Sequence, residues 1–179
     1  MSDPKQITPN VYQITRGANM FLLKTDTDEL TLIDAGIPGA RGMVLKAVRA
    51  LGYEPSALKH ILITHADIDH VGALAGIKAA TGAAVYASNE SKPYIESASS
   101  PPHMPALMKL FAGPLQSLVQ KKASVDHTFT DGEVLPIGGG IQAIHAPGHT
   151  PDNYIFHWQS EDVLFAADLL NRMTGPLAL

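Results

Sequence analysis

The eight residues ITHADIDH, at positions 63–70, constrain this chain more than any other stretch of it. The β-branched residues at its start continue an apolar run typical of a buried strand. The strand ends where His65, Asp67, Asp69 and His70 begin, and in a loop these side chains can converge because they no longer alternate sides. One aspartate is expected here as a helix N-cap, but two neighbouring carboxylates repel each other unless a cation lies between them. The stretch therefore predicts a metal site.

Two distant segments end in a similar way. Pro147 and Gly148 force a turn immediately before His149, and the apolar run VLFAAD ends on Asp168. A carboxylate buried alone at a strand end costs free energy, so Asp168 either caps a turn or ligates a cation. The chain has no cysteine, so any ligands must be His, Asp or Glu.

The order of the predicted elements indicates a layered α/β fold with mixed sheets. Strands come first and are expected to be antiparallel; a helix, a strand, a helix and further strands follow. Turn residues at 131–132 and 138–140 predict two hairpins. The main predicted elements are strands at 11–17, 19–25, 29–36, 58–66 and 83–88, and helices at 39–52 and 70–82.

Residues 96–123 differ in character from the rest of the single domain that we expect over 1–179. They carry four prolines and an amphipathic pattern, which predicts a helical insertion. The insertion is interpreted as a helix pair packed on the core or as a pocket wall, in which Met104, Met108 and Phe111 would contact substrate.

Composition excludes several classes of partner. The formal net charge is −4, which argues against nucleic acid or an anionic membrane surface. No stretch approaches the roughly 18 apolar residues of a membrane span, and the first residues lack the apolar region of a secretory signal. We therefore expect a cytoplasmic protein that acts on a small molecule.

The sequences LIDAG, ITHADIDHVG, APGHTP and LFAAD resemble the signature of the metallo-β-lactamase-fold hydrolases, of the glyoxalase II and lactonase kind. The resemblance implies an αββα sandwich with a dinuclear centre of divalent metal ions, zinc by preference. The departures described below leave open a single ion, and iron or manganese in place of zinc. It implies that Asp34 is a buried carboxylate near the site, although a turn-forming role fits Asp34 equally well. It places His65, Asp67 and His149 at one metal, Asp69 and His70 at the other, and Asp168 between them.

The sequence departs from that family in several places. Asp67 stands where the family usually has His, and an anionic oxygen ligand favours harder ions than zinc. The last histidine of the family is missing, and the C-terminal half is short. A sheet left open in this way is expected to be covered by a second copy of the chain, unless the chain is part of a longer protein. Asp152 and Asn153 replace a small pair.

These features predict a hydrolase that uses a metal-bound hydroxide on an ester, thioester or lactone, with Asp67 or Asp69 orienting or deprotonating the water. The alternative is a di-iron redox protein or a degenerate metal-binding scaffold of the same fold, since Asp67 and the missing histidine both weaken a zinc site.

Overall fold

The computed structural model describes residues 3–101 and 120–170. Its larger sheet has seven strands arranged in chain order. The first four strands are antiparallel to one another, and the remaining pairs are parallel. The strands are β1 (Lys5–Thr8), β2 (Val11–Arg16), β3 (Ala18–Asp26), β4 (Glu29–Ile33), β5 (Leu58–Leu62), β6 (Ala84–Ser88) and β7 (His127–Phe129).

The second sheet has four antiparallel strands that lie side by side in chain order. It packs against one face of the larger sheet, and alternate residues of its strands point into the space between the two. Tyr154, Phe156 and Trp158 all point there and are almost fully buried. The strands are β8 (Val134–Leu135), β9 (Ile141–His145), β10 (Tyr154–Trp158) and β11 (Val163–Phe165).

The other face of the larger sheet is covered by helices. All four described α-helices contribute a buried residue to one core: Val44, Val71, Leu74 and Ile95. The longest helix, α1, buries Val44, Ala47 and Val48, a spacing that brings its apolar side chains onto one side. The helices are α1 (Arg41–Ala50), α2 (Ile68–Val71), α3 (Leu74–Thr81) and α4 (Lys92–Ser97), with 3₁₀ turns at Pro55–Ala57 and Ala167–Leu169.

The predicted α/β fold with mixed sheets is confirmed, with local corrections. The turn at 131–132 was predicted to join a hairpin, which is wrong: β7 belongs to the larger sheet and β8 to the smaller one. The helix predicted over 70–82 is two helices, α2 and α3, separated at Gly72 and Ala73. Strand β1 was not predicted.

Most of the predicted insertion, including Met104, Met108 and Phe111, lies outside the described residues. Within the part of the chain that the structure describes, no helix has the length and apolar character needed to cross a membrane.

Candidate metal centre

Five of the predicted site residues meet at one end of the two sheets. His65 and Asp67 lie on the loop between β5 and α2, and His70 lies in α2 itself. His149 lies on the turn between β9 and β10, and Asp168 lies in the 3₁₀ turn that follows β11. Loops at the carboxyl ends of strands gather side chains from distant parts of a chain, which explains how residues a hundred positions apart become neighbours.

His65, Asp67 and His149 form one group with ligand atoms close enough to share an ion. The Asp67 Oδ2 atom lies 3.2 Å from His149 Nε2 and 3.6 Å from His65 Nε2. His65 and Asp67 are buried, while the His149 side chain is 35% exposed. The group therefore has two buried members and one member that solvent can reach.

A second group consists of His65, His70 and Asp168. The Asp168 carboxylate spans the two groups, since its Oδ1 lies 3.5 Å from His70 Nε2 and its Oδ2 lies 3.4 Å from His149 Nε2. The resemblance paired His70 with Asp69 instead. Asp69 Oδ2 lies 3.9 Å from His70 Nε2, with its side chain 42% exposed, so Asp69 lies beside the second group as a solvent-accessible carboxylate.

Asp34 determines which ring nitrogen of two histidines faces the site. Its carboxylate accepts hydrogen bonds from the backbone N–H of Thr64 at 2.9 Å and from the Thr64 hydroxyl at 2.9 Å. Because the only hydroxyl proton of Thr64 goes to Asp34, His65 Nδ1, 3.0 Å from Thr64 Oγ1, must donate to that oxygen. His70 Nδ1 contacts Asp34 Oδ2 directly at 2.8 Å, again with the imidazole as donor. In their neutral forms, both histidines therefore present an Nε2 lone pair to the site.

These two Nε2 atoms fit a metal ion. Both are buried, and neither makes a hydrogen bond with the described residues. An orphaned buried ring nitrogen is costly, and coordination to a cation would satisfy it. The set of imidazole nitrogens and carboxylate oxygens suits zinc, iron or manganese.

The electrostatic field at the site also favours a cation. Burial opposes the charged form of His70, but the nearby carboxylates of Asp34, Asp168 and Asp69 outweigh burial and raise the pKa of His70 well above its ordinary value. Contact with His70 lowers the pKa of Asp168, against the opposing effect of burial. The site thus stabilises added positive charge, whether a proton or a metal supplies it.

Two residues at the site had no assigned role in the sequence analysis. Thr64 relays the hydrogen bonding of Asp34 to His65, and Asp152 accepts a hydrogen bond from the backbone N–H of Ala66. Asp34 itself, for which two roles were open, is the buried carboxylate beside the site, with a left-handed backbone (φ 59°) that Asp tolerates better than most residues.

A cavity of about 260 Å³ opens next to His70 and Asp168. Most of its wall is apolar and comes from β2, β3, β4 and β11, with Phe21, Ile33 and Val163 among its members. No lysine or arginine is among the described residues that line it. The cavity therefore has no basic residue among its described lining residues, and the ionisable groups in its wall, Asp34, His70 and Asp168, belong to the candidate site.

Comparison with known proteins places this geometry in a family context. A family model described as the metallo-beta-lactamase superfamily matches residues 14–178. The uncharacterized protein YobT of Bacillus subtilis is 31% identical over 157 residues, 88% of this chain. Hydroxyacylglutathione hydrolase GloC of Haemophilus influenzae is 28% identical over 85% of this chain. The crystal structure of the metallo-beta-lactamase MIM-1 from Novosphingobium pentaromativorans superimposes on 90% of this chain, with 27% identity and a TM-score of 0.74.

The chain is shorter than these proteins. It spans 64% of the length of YobT, 66% of GloC and 58% of the MIM-1 chain. About a third or more of each protein therefore has no counterpart in these 179 residues.

Proposed function

The chain belongs to the metallo-beta-lactamase superfamily, and from that premise we propose that it is a metal-dependent hydrolase of small esters, thioesters or lactones. The observation that carries the proposal is the pair of buried Nε2 lone pairs on His65 and His70, which Asp34 orients toward two carboxylates. Two buried ring nitrogens without a hydrogen-bond partner among the described residues cost free energy, and coordination to a cation would offset that cost.

We assign the site residues two roles, metal ligation and proton transfer. His65, His70, His149, Asp67 and Asp168 would hold one or two divalent ions, for which zinc is our proposal. When bound, such an ion lowers the pKa of water near it and stabilises negative charge on a carbonyl oxygen. Among the carboxylates, Asp69 has the exposure to exchange a proton with solvent, at Oδ2 on the side of His70. We therefore assign proton transfer to Asp69 and ligation to Asp67.

The cavity supports a neutral acyl substrate. At about 260 Å³ it is slightly smaller than the roughly 300–1,000 Å³ of typical ligand pockets, which favours a short acyl group. Apart from a bound ion, none of the described lining residues is a lysine or arginine that would pair with a phosphodiester, which makes that substrate class less favoured than a neutral one. A relative that is named a hydroxyacylglutathione hydrolase is compatible with chemistry at an acyl carbonyl.

The test combines metal analysis with turnover. Protein purified without added metal is assayed for zinc, manganese and iron, and then, after loading with each metal, against a panel of neutral esters, thioesters and lactones. We expect near-stoichiometric zinc or manganese and metal-dependent hydrolysis. In Asp67→Ala and His149→Ala, metal content and kcat/KM should both fall, kcat/KM by about 100-fold or more.

The matched control is Asp162→Asn, which alters an Asp–His pair on the β10–β11 hairpin. Asp162 Oδ1 lies 3.2 Å from His157 Nε2, and its side chain is 96% exposed. This variant should retain both metal and activity. Folded, metal-loaded protein that hydrolyses no member of the panel would contradict the proposal, and bound iron with oxygen reactivity would favour the redox alternative that Asp67 suggests.

A further inference from the structure

Asp152 is a buried carboxylate that belongs to neither group of candidate ligands but contacts the loop that carries two of them. It is 1% exposed, and its Oδ2 accepts a hydrogen bond from the backbone N–H of Ala66 at 3.0 Å. Ala66 separates His65 from Asp67, so this bond fixes the backbone between two ligands. We propose that Asp152 is a positioning residue of the metal centre, an inference that rests on the proposed function only in requiring a bound divalent ion.

A directed chain of hydrogen bonds holds Asp152 in place. The Ser88 hydroxyl donates to Ser91 Oγ at 3.0 Å, and the Ser91 hydroxyl donates to Asp152 Oδ2 at 2.7 Å. The backbone N–H of Ser91 donates in turn to Ser88 Oγ at 3.0 Å. Both serines are fully buried, and each hydroxyl has a single proton, so the order of donors ends on the carboxylate. Oδ2 is thus anchored to the segment that follows β6.

Asp152 also belongs to the turn that carries the third ligand, His149. This turn is closed by two hydrogen bonds between Asn153 and Ala146, each 2.9 Å long. Just beyond it, the backbone N–H of Tyr154 donates to the Thr64 carbonyl at 2.9 Å. Asp152 therefore links the His149 turn to the loop of His65 and Asp67 and, together with the Tyr154–Thr64 backbone bond, positions all three members of the first group relative to one another.

Accepting these hydrogen bonds with a buried carboxylate costs free energy, which is a reason to expect that the position of the loop between His65 and Asp67 matters. Burial of an anion costs free energy, and Oδ1 of Asp152 has no hydrogen-bond partner among the described residues. In return, a hydrogen bond to an ionised acceptor is stronger than one to a neutral oxygen. The Ala66 N–H, itself buried, would be left unsatisfied if Asp152 were truncated.

The test measures Zn²⁺ affinity in variants of this network by competition with a chromogenic chelator. Loss of an outer partner of a metal site typically weakens binding by about 10–100-fold, and we expect a Kd increase in that range for Asp152→Ala. Asp152→Asn keeps an acceptor oxygen and should stay within about threefold of the wild type, and Ser91→Ala should fall between the two.

Asp126→Ala is the matched control. Asp126 also accepts a backbone N–H, from Val85 at 2.8 Å, and pairs with Lys78, but it belongs to neither candidate ligand group nor to the network of Asp152. This variant should lose stability in urea and keep the Zn²⁺ Kd of the wild type. A general effect of instability on metal binding would appear in both aspartate variants.

The outcomes separate the two proposals. Folded Asp152→Ala with the Kd of the wild type, or Asp152→Asn as weak as Asp152→Ala, would overturn the positioning role. If Asp152→Ala does not fold, Ser91→Ala decides, and an unchanged Kd there overturns it. Wild-type protein that binds no Zn²⁺ would instead contradict the proposed function itself.

Discussion

At the scale of single residues, the candidate site depends on which group donates each hydrogen bond and which group accepts it. Asp34 is an acceptor only, so Thr64 and His70 must both donate to it, and Thr64 then has no proton left for His65. One buried carboxylate in this way fixes the tautomers of two imidazoles. The effect is available before any ion arrives, because it needs only the protein's own hydrogen bonds.

Thr64→Val should weaken metal binding without altering any candidate ligand. Valine matches threonine in shape but removes the hydroxyl between Asp34 and His65, so His65 loses the contact that fixes its tautomer. We expect a Zn²⁺ Kd about 10–100-fold higher, and a free energy of unfolding lower by about 1–3 kcal/mol. Chelator competition and urea denaturation measure the two effects.

Thr64→Ser provides the control for that substitution, since it keeps the hydroxyl. It should recover most of the wild-type affinity. Equal Zn²⁺ binding by the valine variant and the wild type would show that the hydrogen bond from Thr64 does not orient His65.

The candidate ligands could be predicted from the sequence, but the residues that hold them in place by hydrogen bonds could not. His65, Asp67, His149 and Asp168 each follow an apolar strand, a local signal that a strand end leaves in any sequence. Asp152 gives no such signal, because its partners Ser91 and Ala66 lie 61 and 86 residues away and only the fold brings them together. Supporting hydrogen bonds between distant segments therefore need the structure.

At the scale of elements, α2 brings His70 to Asp34 by docking closely on the loop after β4. The backbone N–H of Ala35 donates to the His70 carbonyl at 2.7 Å, and the N–H of Ala73 donates to the Gly36 carbonyl at 3.2 Å. A Cβ on Gly72 would lie 2.3 Å from the Pro38 ring, so only glycine permits this approach.

Gly72→Ala should therefore move α2 away from Asp34. We expect a loss of about 1–3 kcal/mol in unfolding free energy from overpacking, together with weaker Zn²⁺ binding. Gly76→Ala in α3 is the control, because its Cβ would meet only the flexible Arg41 side chain, at 3.2 Å. That change should stabilise the protein by up to about 1 kcal/mol, as Ala favours a helix over Gly. Similar urea midpoints for the two variants would contradict the role of Gly72.

An ion pair between α3 and the segment before β7 should make stability depend on pH. Burial opposes the ionisation of Asp126, but hydrogen bonds from Lys78 and Val85 outweigh it and lower the pKa of Asp126 below 3.8. A carboxyl with a lowered folded-state pKa stabilises the protein above its unfolded pKa, and the contribution disappears as pH falls through the folded value. Solvent exposure limits it to about 1 kcal/mol or less.

The measurement compares urea midpoints of the wild type and Asp126→Asn. The difference should be constant well above pH 3.8 and should shrink as the pH falls below that value. A difference that persists unchanged to the lowest pH at which both proteins fold would contradict the assignment to Asp126.

The mistaken hairpin at 131–132 shows that turn residues predict a turn but not the pairing of the strands on either side of it. Asp131 and Gly132 do form a turn, and the Gly132 backbone N–H donates to the Ala143 carbonyl at 2.9 Å. Turn chemistry is local, however, and does not specify which sheet the next strand joins. Phe129 and Leu135 both point into the core between the sheets, although their strands belong to different sheets.

At the scale of the whole molecule, a bound metal should stabilise the fold by mass action. Zinc at a free concentration of 100 times its Kd would add about 2.7 kcal/mol, or roughly 5–11 °C in Tm for a domain of this size. Calorimetry with Zn²⁺ and with EDTA measures the shift. Asp67→Ala should show a smaller one, and equal Tm values with and without metal would indicate that the folded protein does not bind it.

The expected pairing of two copies stays a prediction. In β11 the side chain of Leu164 alternates with those of Val163 and Phe165, which pack into the core between the sheets, and Leu164 is 53% exposed. Val134, on the edge strand β8, is 47% exposed. Apolar exposure of this kind favours a protein contact. Light scattering should give the mass of a homo-oligomer, which Leu164→Lys reduces to that of a monomer; a monodisperse wild-type monomer would contradict the prediction.

His65 belongs to both groups of candidate ligands. An imidazole nitrogen has one lone pair, and its Nδ1 is already committed to Thr64. The two groups therefore share one donor atom, and His65 could ligate an ion in only one of them at a time. Two ions bound at once would require another donor in place of His65 in the second group, and Asp69, whose Oδ2 lies 3.9 Å from His70 Nε2, is a carboxylate beside it.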